Sequence, residues 1–268
     1  MMQTPDDSPQ EAPLAMSTTP TDRLVAISGG ASGIGLTFAR HWIAQEGRAV
    51  LLDNSPKALQ AAVAELGDRV RGLVTDVTDE SSVASSFADI ADHEGRLDAL
   101  VNSAGIALPA PSHGMTDGQF TRVMDIHVTG TFRCCRAAYS LLVKSDNAAI
   151  VNMASVAALT GMPGRVNYTA AKAGIAGLTR TLAVEWAEHG IRVNAVGAGY
   201  VRTPFTDQLI ADGKLRTEEI ENRTPLARFA EPEEVAEVMG FLTTARSSYV
   251  TGHLLMADGG LTIQGDWY

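Results

Sequence analysis

Residues 24–35, Leu-Val-Ala-Ile-Ser-Gly-Gly-Ala-Ser-Gly-Ile-Gly, decide the fold of this chain. The first five residues form a largely apolar run suited to a buried parallel strand. Glycines follow in the spacing G-x-x-x-G-x-G, and a helix-like stretch continues to Gln45. A strand, a glycine loop and a helix in this order favour phosphate binding, because the glycines let the backbone approach a pyrophosphate and the helix N-terminus offers N–H groups. A glycine-rich turn without a ligand is the alternative.

The next apolar run ends in Asp53, eighteen residues after Gly35. An acid at about this separation accepts hydrogen bonds from the adenosine ribose hydroxyls and repels a 2′-phosphate. Neither Ser32 nor Asn54 is basic, so neither welcomes that phosphate. The sequence therefore favours NAD over NADP, with a solvated acid at a strand end as the alternative.

Strand-like and helix-like segments alternate along the rest of the chain. Such alternation predicts an α/β fold, a Rossmann-like doubly wound parallel β-sheet of about seven strands flanked by helices. Ligands bind such sheets at the carboxyl ends of the strands. Strands are expected near 24–28, 48–53, 69–74, 97–102, 148–153, 191–197 and 253–257, and helices near 33–46, 56–66, 79–94, 117–144, 165–189 and 232–243.

The domain organisation follows from the same pattern. Residues 1–20 are rich in Pro, Ser, Thr, Asp and Gln and show no periodicity, so we expect a disordered tail. No linker or repeat interrupts the remainder, and we expect a single dehydrogenase-like domain over 21–268. The alternation breaks at 199–230, where we expect one short helix and a lid over the substrate.

Tyr168 and Lys172 stand four residues apart, with Ser155 thirteen residues before the tyrosine. Four residues is about one helical turn, so both side chains project from one face. A lysine ammonium at this distance is expected to lower the tyrosine pKa, so that the phenol exchanges a proton near neutral pH. A serine hydroxyl facing the pair holds the same substrate oxygen. The trio thus predicts proton handling beside a hydride transfer, with chance spacing on a helix as the alternative.

Several motifs in order extend this prediction. They are Ser28-Gly29-x-x-x-Gly33-Ile34-Gly35, Asp76-Val77, Asn102-Ser103-Ala104-Gly105, the trio, the segment 194–203 and Asp258-Gly259-Gly260. Together they closely resemble those of the short-chain dehydrogenase/reductase family in its compact single-domain form, over roughly residues 22–262.

The resemblance implies an NAD(H)-dependent oxidoreductase that moves a hydride between nicotinamide and a secondary alcohol or ketone, with a polyol or sugar derivative preferred. It also implies a homotetramer and a site without metal, with Tyr168 as acid/base. In the family Lys172 also binds the nicotinamide ribose. The implied cofactor-binding residues are Gly29, Ser32, Gly33, Ile34, Gly35, Asp53, Asp76, Val77, Asn102, Ala104, Gly105, Tyr168, Lys172, Gly199, Val201 and Thr203.

His127 is the main departure from the family pattern, which usually has Asn there to complete a proton relay. A histidine can donate, accept and titrate near pH 6.5, so we expect a relay with altered pH dependence, or a ring that only fills space. This departure supports the alternative function, a non-catalytic dinucleotide-binding regulator on the same fold. A methyltransferase and a sugar-nucleotide epimerase are further alternatives, but the first needs no such trio and the second usually carries a separate substrate domain.

Composition limits the partners. The formal net charge is −10, of which residues 1–20 carry −3. An acidic protein has no general attraction for nucleic acid or anionic membranes. The sequence contains no apolar stretch long enough to span a bilayer and no signal-peptide pattern. Its two cysteines are adjacent and do not suggest a disulfide framework, so we expect a cytoplasmic protein. Its partner is then a small-molecule alcohol or ketone.

The substrate pocket is predicted less sharply than the cofactor site. Candidate segments are Ala107–His113, Val156–Arg165 and the lid. They mix apolar residues with His113, Arg165 and Arg202, which are pocket groups or ordinary surface residues.

Overall fold

The computed structural model of the protein describes residues 22–213 and 215–265, with every side chain among them except that of Phe205. The expected disordered tail lies outside the described residues. Within the described part, seven strands form one parallel sheet in the order β3-β2-β1-β4-β5-β6-β7, so the predicted doubly wound sheet is confirmed. The strands are β1 Leu24–Ser28, β2 Arg48–Asp53, β3 Val70–Val74, β4 Ala99–Asn102, β5 Ala149–Met153, β6 Arg192–Ala198 and β7 Leu254–Ala257.

Nine α-helices occur in the described residues, and the predicted ones begin and end within a few residues of their expected bounds. None of them is long and apolar enough to cross a bilayer. The helices are α1 Gly33–Ala44, α2 Pro56–Leu66, α3 Glu80–Glu94, α4 Asp117–Met124, α5 Gly130–Leu142, α6 Val166–Trp186, α7 Pro204–Ala211, α8 Thr217–Arg223 and α9 Pro232–Thr243.

The helices cover both faces of the sheet. The side chains of α1, α2 and α9, such as Phe38 and Met239, pack on one face of the sheet. Those of α3, α5 and α6, such as Phe87 and Leu182, pack on the other. Every residue of β1, β4 and β5 is buried, which explains why these strands are apolar runs and not alternating patterns.

The helix expected over 117–144 runs without a break from Asp117 to Leu142, but it is not α-helical throughout. A five-residue π-helical segment, Asp125–Thr129, separates α4 from α5. A π turn inserts one extra residue into a helical rod, and such turns are frequent at functional sites. His127 lies at the centre of this segment and is buried.

The strand order creates a crevice at the carboxyl ends of the central strands. β1 pairs with β2 on one side and with β4 on the other. The chain therefore leaves β1 and β4 in opposite directions, and this switch point is where doubly wound folds bind ligands.

The segment 199–230 contains two short helices, α7 and α8, where the sequence indicated one. Its two ends lie together, because Arg202 donates its backbone N–H to Ala230 and Ala230 donates to Tyr200, both at 2.9 Å. The segment thus leaves the sheet and returns to it at one place. Its role as a lid stays a prediction.

Candidate active site

A cavity of about 660 Å³ opens at the carboxyl ends of the central strands. This volume is in the range of small-molecule and cofactor sites. Of the residues predicted from the sequence, Gly35 and Asn102 do not line it. Those that do are Gly29, Ser32, Gly33, Ile34, Asp53, Asp76, Val77, Ala104, Gly105, His127, Ser155, Tyr168, Lys172, Gly199, Val201 and Thr203.

The glycine loop fits a pyrophosphate. Gly29 has φ +66°, and a Cβ there would come within 2.8 Å of the Ala104 backbone. Gly33 has φ +52°, which a side chain would strain. Ser32 does not cap α1 with its side chain and no acid lies in the first turn, so the N-terminal N–H groups of α1 suit an anion. Gly35 packs directly against the loop, because a Cβ there would clash with the Gly29 carbonyl.

Asp53 is fixed where β2 ends. Its carboxylate accepts the backbone N–H of Ala31 at 3.3 Å and that of Ser55 at 3.0 Å. These bonds join the carboxylate to the glycine loop on one side and to the start of α2 on the other. The geometry is suited to binding ribose hydroxyls at the cavity wall.

Asp76 and Val77 lie at the next edge of the crevice. Asp76 accepts hydrogen bonds from the backbone and hydroxyl of Thr78 at 2.8 and 2.7 Å, and these bonds lower its pKa. Val77 packs against Gly130, the first residue of α5, where a Cβ would come within 2.9 Å of the valine. This wall is therefore an ionised acid beside an apolar surface.

Asn102 acts through other residues, because its side chain is buried inside the sheet. It donates to the Asn152 side chain at 2.9 Å and so ties β4 to β5. The loop that follows contributes Ala104 and Gly105 to the cavity.

The far wall comes from the loop after β6. Gly199 lies so close to the backbone of Asp258 that a Cβ would approach its Cα to 2.9 Å. Val201 is buried and pairs with Ala230. Thr203 is the N-cap of α7, and its hydroxyl accepts the Thr206 N–H at 3.2 Å.

Ser155, Tyr168 and Lys172 meet in the middle of the cavity. Ser155 follows β5, and its hydroxyl accepts the Ala157 N–H at 3.2 Å. Tyr168 and Lys172 lie in the first two turns of α6 on one face, as the spacing predicts. The Lys172 ammonium donates to the Met153 carbonyl at 2.6 Å and lies 5.4 Å from the Tyr168 ring centroid.

Burial dominates the titration of this pair. It lowers the pKa of Lys172 to about 7. It raises the pKa of Tyr168, and a hydrogen bond with Ser155 and the charge of Arg165 oppose that rise. The sequence predicted a lowered tyrosine pKa, but in the protein alone the pKa of Tyr168 is raised, since the cost of an anion in this half-buried position outweighs the nearby charges.

His127 contacts the backbone amide groups at Ile106 through only one of its two ring nitrogens. Its Nε2 lies 2.8 Å from the Ile106 carbonyl and 3.1 Å from the Ile106 N–H. One ring nitrogen cannot donate and accept at once. The shorter distance favours a proton on Nε2 donated to the carbonyl, and Nδ1 then has a lone pair without a partner among the described residues.

The His127 ring stands edge-on to Tyr168, with centroids 5.5 Å apart and planes at 88°. Burial, and then the charge of Lys172, lower the pKa of His127 to about 3. The expectation that His127 titrates near pH 6.5 is therefore wrong, because this pKa keeps the ring neutral at physiological pH.

Several cavity residues were not predicted from the sequence, among them Arg122 of α4 and Ile126 of the π-helical segment. These two stand four residues apart, and this helical spacing ahead of His127 is a signal that could have found them. Of the basic groups weighed for the pocket, Arg165 lines the cavity, whereas His113 and Arg202 do not.

The comparisons with known proteins indicate one protein family. The family model described as "Enoyl-(Acyl carrier protein) reductase" matches residues 29–262. A cis-4-hydroxycyclohexanecarboxylate dehydrogenase of Sinomonas cyclohexanicum is 40% identical over 90% of this chain and 97% of its own length. A 3-oxoacyl-[acyl-carrier-protein] reductase of Thermotoga maritima is 39% identical over 90% of this chain and 98% of its own.

Solved structures give the same result. The crystal structure of a levodione reductase superposes with a TM-score of 0.87 at 32% identity, covering 91% of this chain and 99% of that one. The chain belongs to the short-chain dehydrogenase/reductase family of oxidoreductases, which act on CH–OH groups and use nicotinamide dinucleotides.

Proposed function

We propose that this protein transfers a hydride between NAD(H) and a secondary alcohol or ketone, with Tyr168 as the acid/base. One observation carries the proposal. Ser155, Tyr168 and Lys172 face the same cavity as the glycine loop and Asp53. A proton-handling trio and a dinucleotide cradle in one cavity suit this chemistry better than either feature alone.

The cofactor is bound by the walls described above. The backbone of Gly29 to Ile34 binds the pyrophosphate, Asp53 the adenosine ribose and Asp76 with Val77 the adenine. Ala104, Gly105, Gly199, Val201 and Thr203 border the nicotinamide half. NAD is preferred because the Asp53 carboxylate repels a 2′-phosphate.

Bound nicotinamide supplies the hydride acceptor or donor, and the protein manages the proton. Ser155 donates a hydrogen bond to the substrate oxygen and orients it toward Tyr168. The Tyr168 phenolate takes the alcohol proton during oxidation, and the protonated phenol donates it to the substrate oxygen during ketone reduction. Lys172, held by the Met153 carbonyl, stabilises the phenolate and binds the nicotinamide ribose.

His127 is proposed as a neutral positioning residue of the proton relay. Its Nε2–H holds the Ile106 backbone, which leaves the Nδ1 lone pair to accept a hydrogen bond. A neutral imidazole in this state positions a hydrogen-bond donor at Nδ1, while its Nε2 proton stays on the ring and is donated in a hydrogen bond to the Ile106 carbonyl. The alternative, a non-catalytic dinucleotide-binding regulator, rests on this one departure from the family pattern.

The substrate class is a secondary alcohol or its ketone. The names of the relatives describe reactions at a ring hydroxyl, a 3-oxoacyl group and a levodione. All three carry a hydroxyl or ketone at a secondary carbon. The earlier preference for a polyol or sugar derivative stays a prediction.

The cellular setting and assembly belong to the same proposal. We expect a single-domain, cytoplasmic homotetramer that binds neither nucleic acid nor membranes, in keeping with the net charge of −10. Light scattering of the purified protein measures the assembly, and a monomeric mass would contradict it.

The proposed function is tested by following the absorbance of reduced nicotinamide with the purified protein. NAD and NADP are offered separately against hydroxy acids, cyclic and acyclic secondary alcohols, polyols and sugars. We expect NAD reduction with one class, lost in Tyr168→Phe but with NADH binding retained. Silence across the panel with tight NADH binding would favour the regulator instead.

A further inference from the structure

Beyond Tyr168, the part of the cavity toward the lid is lined by apolar and hydroxyl-bearing side chains and one charged side chain. Arg165, the N-cap residue of α6, is half-buried and lines this part of the cavity. It stands three residues before Tyr168, and its charge acts on the tyrosine phenol. The apolar lining residues here are Ile106, Ala107, Val156, Met162, Leu209 and Leu215.

The Arg165 guanidinium has no acidic partner among the described residues. Arg202, by contrast, has Glu221 and Glu231 at 3.8 and 3.9 Å. Arg122, the other cavity-lining arginine, makes no ion pair among the described residues but donates to the Thr78 hydroxyl at 3.4 Å. Arg165 therefore brings an uncompensated charge to the cavity wall beside the reacting centre.

A guanidinium without an acidic partner has a definite preference, because its planar fork matches a carboxylate. Such a pair forms two charge-assisted hydrogen bonds, which neutral hydroxyls do not equal. A singly charged carboxylate also balances the one positive charge, whereas a phosphate monoester carries more negative charge than Arg165 alone offers.

Building on the proposed function, we propose that Arg165 binds a carboxylate of the substrate. The substrate is then an alcohol or ketone with an apolar hydrocarbon body, and the carboxylate lies on the side remote from the reacting carbon. Arg165 is a specificity residue in this arrangement. It selects the substrate and orients the carbinol toward Tyr168, but takes no part in the proton transfer.

The test compares reduction of 4-oxocyclohexanecarboxylate with reduction of the neutral 4-oxocyclohexanecarboxamide. For the natural protein we expect kcat/KM to be about 30-fold higher for the carboxylate, the size of one charge-assisted hydrogen-bond pair. Arg165→Gln should abolish this ratio and Arg165→Lys should keep part of it. The amide controls for the change that each variant makes at Tyr168, because both substrates react at the same phenol.

Arg202→Gln is the matched control, because that arginine is close in the fold, paired with acids and outside the cavity wall. The ratio should stay unchanged in this variant. Equal kcat/KM for acid and amide in the natural protein, or a ratio that survives Arg165→Gln, would overturn the proposal.

Calorimetric titration with cyclohexanecarboxylate and cyclohexanecarboxamide separates this proposal from the function itself. Carboxylate binding that is lost in Arg165→Gln, in a protein that turns over no ketone, would support Arg165 and contradict the dehydrogenase. Turnover of the two ketones at equal rates, with equal binding of acid and amide, would keep the dehydrogenase and reject the carboxylate site.

Discussion

Lys172 is a buried base whose only hydrogen bond among the described residues is to the Met153 carbonyl. Its pKa falls from 10.5 to about 7 because burial penalises the charged form. The unfolded chain keeps the lysine proton up to about pH 10.4. Lys172 therefore lowers the stability of the fold most at and below pH 7, and less as the pH rises toward 10.

We accordingly predict that Lys172→Met stabilises the protein while abolishing activity. The shifted pKa corresponds to about 5 kcal/mol at pH 7, and the Met153 carbonyl left unpaired opposes this by about 1–3 kcal/mol. Denaturant unfolding should thus give a gain of about 2–4 kcal/mol at pH 7 that shrinks by pH 10. A stability gain that grows with pH would contradict the lowered pKa of Lys172.

His127 leads to a prediction about pH dependence. Because burial and Lys172 lower its pKa to about 3, the ring does not titrate between pH 5 and 9. Alcohol oxidation should rise with pH as Tyr168 loses its proton, and His127→Asn should lower the rate without moving the midpoint of the profile. We would measure kcat/KM against pH for both proteins, and a midpoint shift of about one unit would show that His127 does titrate there.

At the scale of the elements, the π-helical segment packs against the loop after β4 at one glycine, Gly105. A Cβ on Gly105 would clash with the His127 ring, which is buried and hydrogen-bonded to Ile106. The absence of a side chain at position 105 therefore allows an imidazole at position 127. This contact joins two walls of the active site.

We predict that Gly105→Ala destabilises the protein by about 1–3 kcal/mol, the usual cost of overpacking. The shorter side chain of His127→Asn leaves room for the methyl group, so the cost should fall in the double variant. A double-mutant cycle from urea unfolding measures the coupling. Additive effects of the two substitutions would mean that the ring moves aside freely.

The elements were largely predictable from the sequence, and the reason is local. Buried parallel strands are short apolar runs, and Gly95 and Pro232 mark a helix end and a helix start. The π turn was not predictable, because Asp125–Thr129 has ordinary helical residues and its extra residue is accommodated through contacts with other elements. The second helix of the segment 199–230, α8, has seven residues and is too short for a clear periodic signal.

The same limit applies to the site. Motif order and spacing predicted the trio and the cofactor wall, because those residues follow strand ends or share one helical face. The pKa values of Tyr168, Lys172 and His127 were not predictable, since they depend on burial by residues distant in sequence. The unpaired charge of Arg165 likewise appears only when its spatial neighbours are known.

At the scale of the whole molecule, the cofactor cavity crosses the switch point of the sheet. It takes residues from the loops after six strands, β1 to β6. A ligand bound there contacts both halves of the fold and should stabilise them together. A ligand that binds only the folded state, at a concentration of about 100 times its Kd, raises the free energy of unfolding by about 2.7 kcal/mol.

We therefore predict that NADH raises the melting temperature of the protein far more than NADPH at equal concentration. Asp53→Asn removes the charge that repels a 2′-phosphate but keeps an oxygen for the Ala31 or Ser55 N–H, so the gap between the two cofactors should narrow. Thermal unfolding with each cofactor measures both effects. A larger rise with NADPH in the natural protein would contradict the preference assigned to Asp53.

Isotope transfer tests the central claim, hydride transfer with Tyr168 as acid/base, most directly. The protein is incubated with NAD and a secondary alcohol deuterated at the carbinol carbon, and the reduced cofactor is analysed by mass spectrometry. The account predicts deuterium in the NADH formed by the natural protein and almost none formed by Tyr168→Phe. Reduced cofactor without deuterium, or undiminished transfer in Tyr168→Phe, would contradict it.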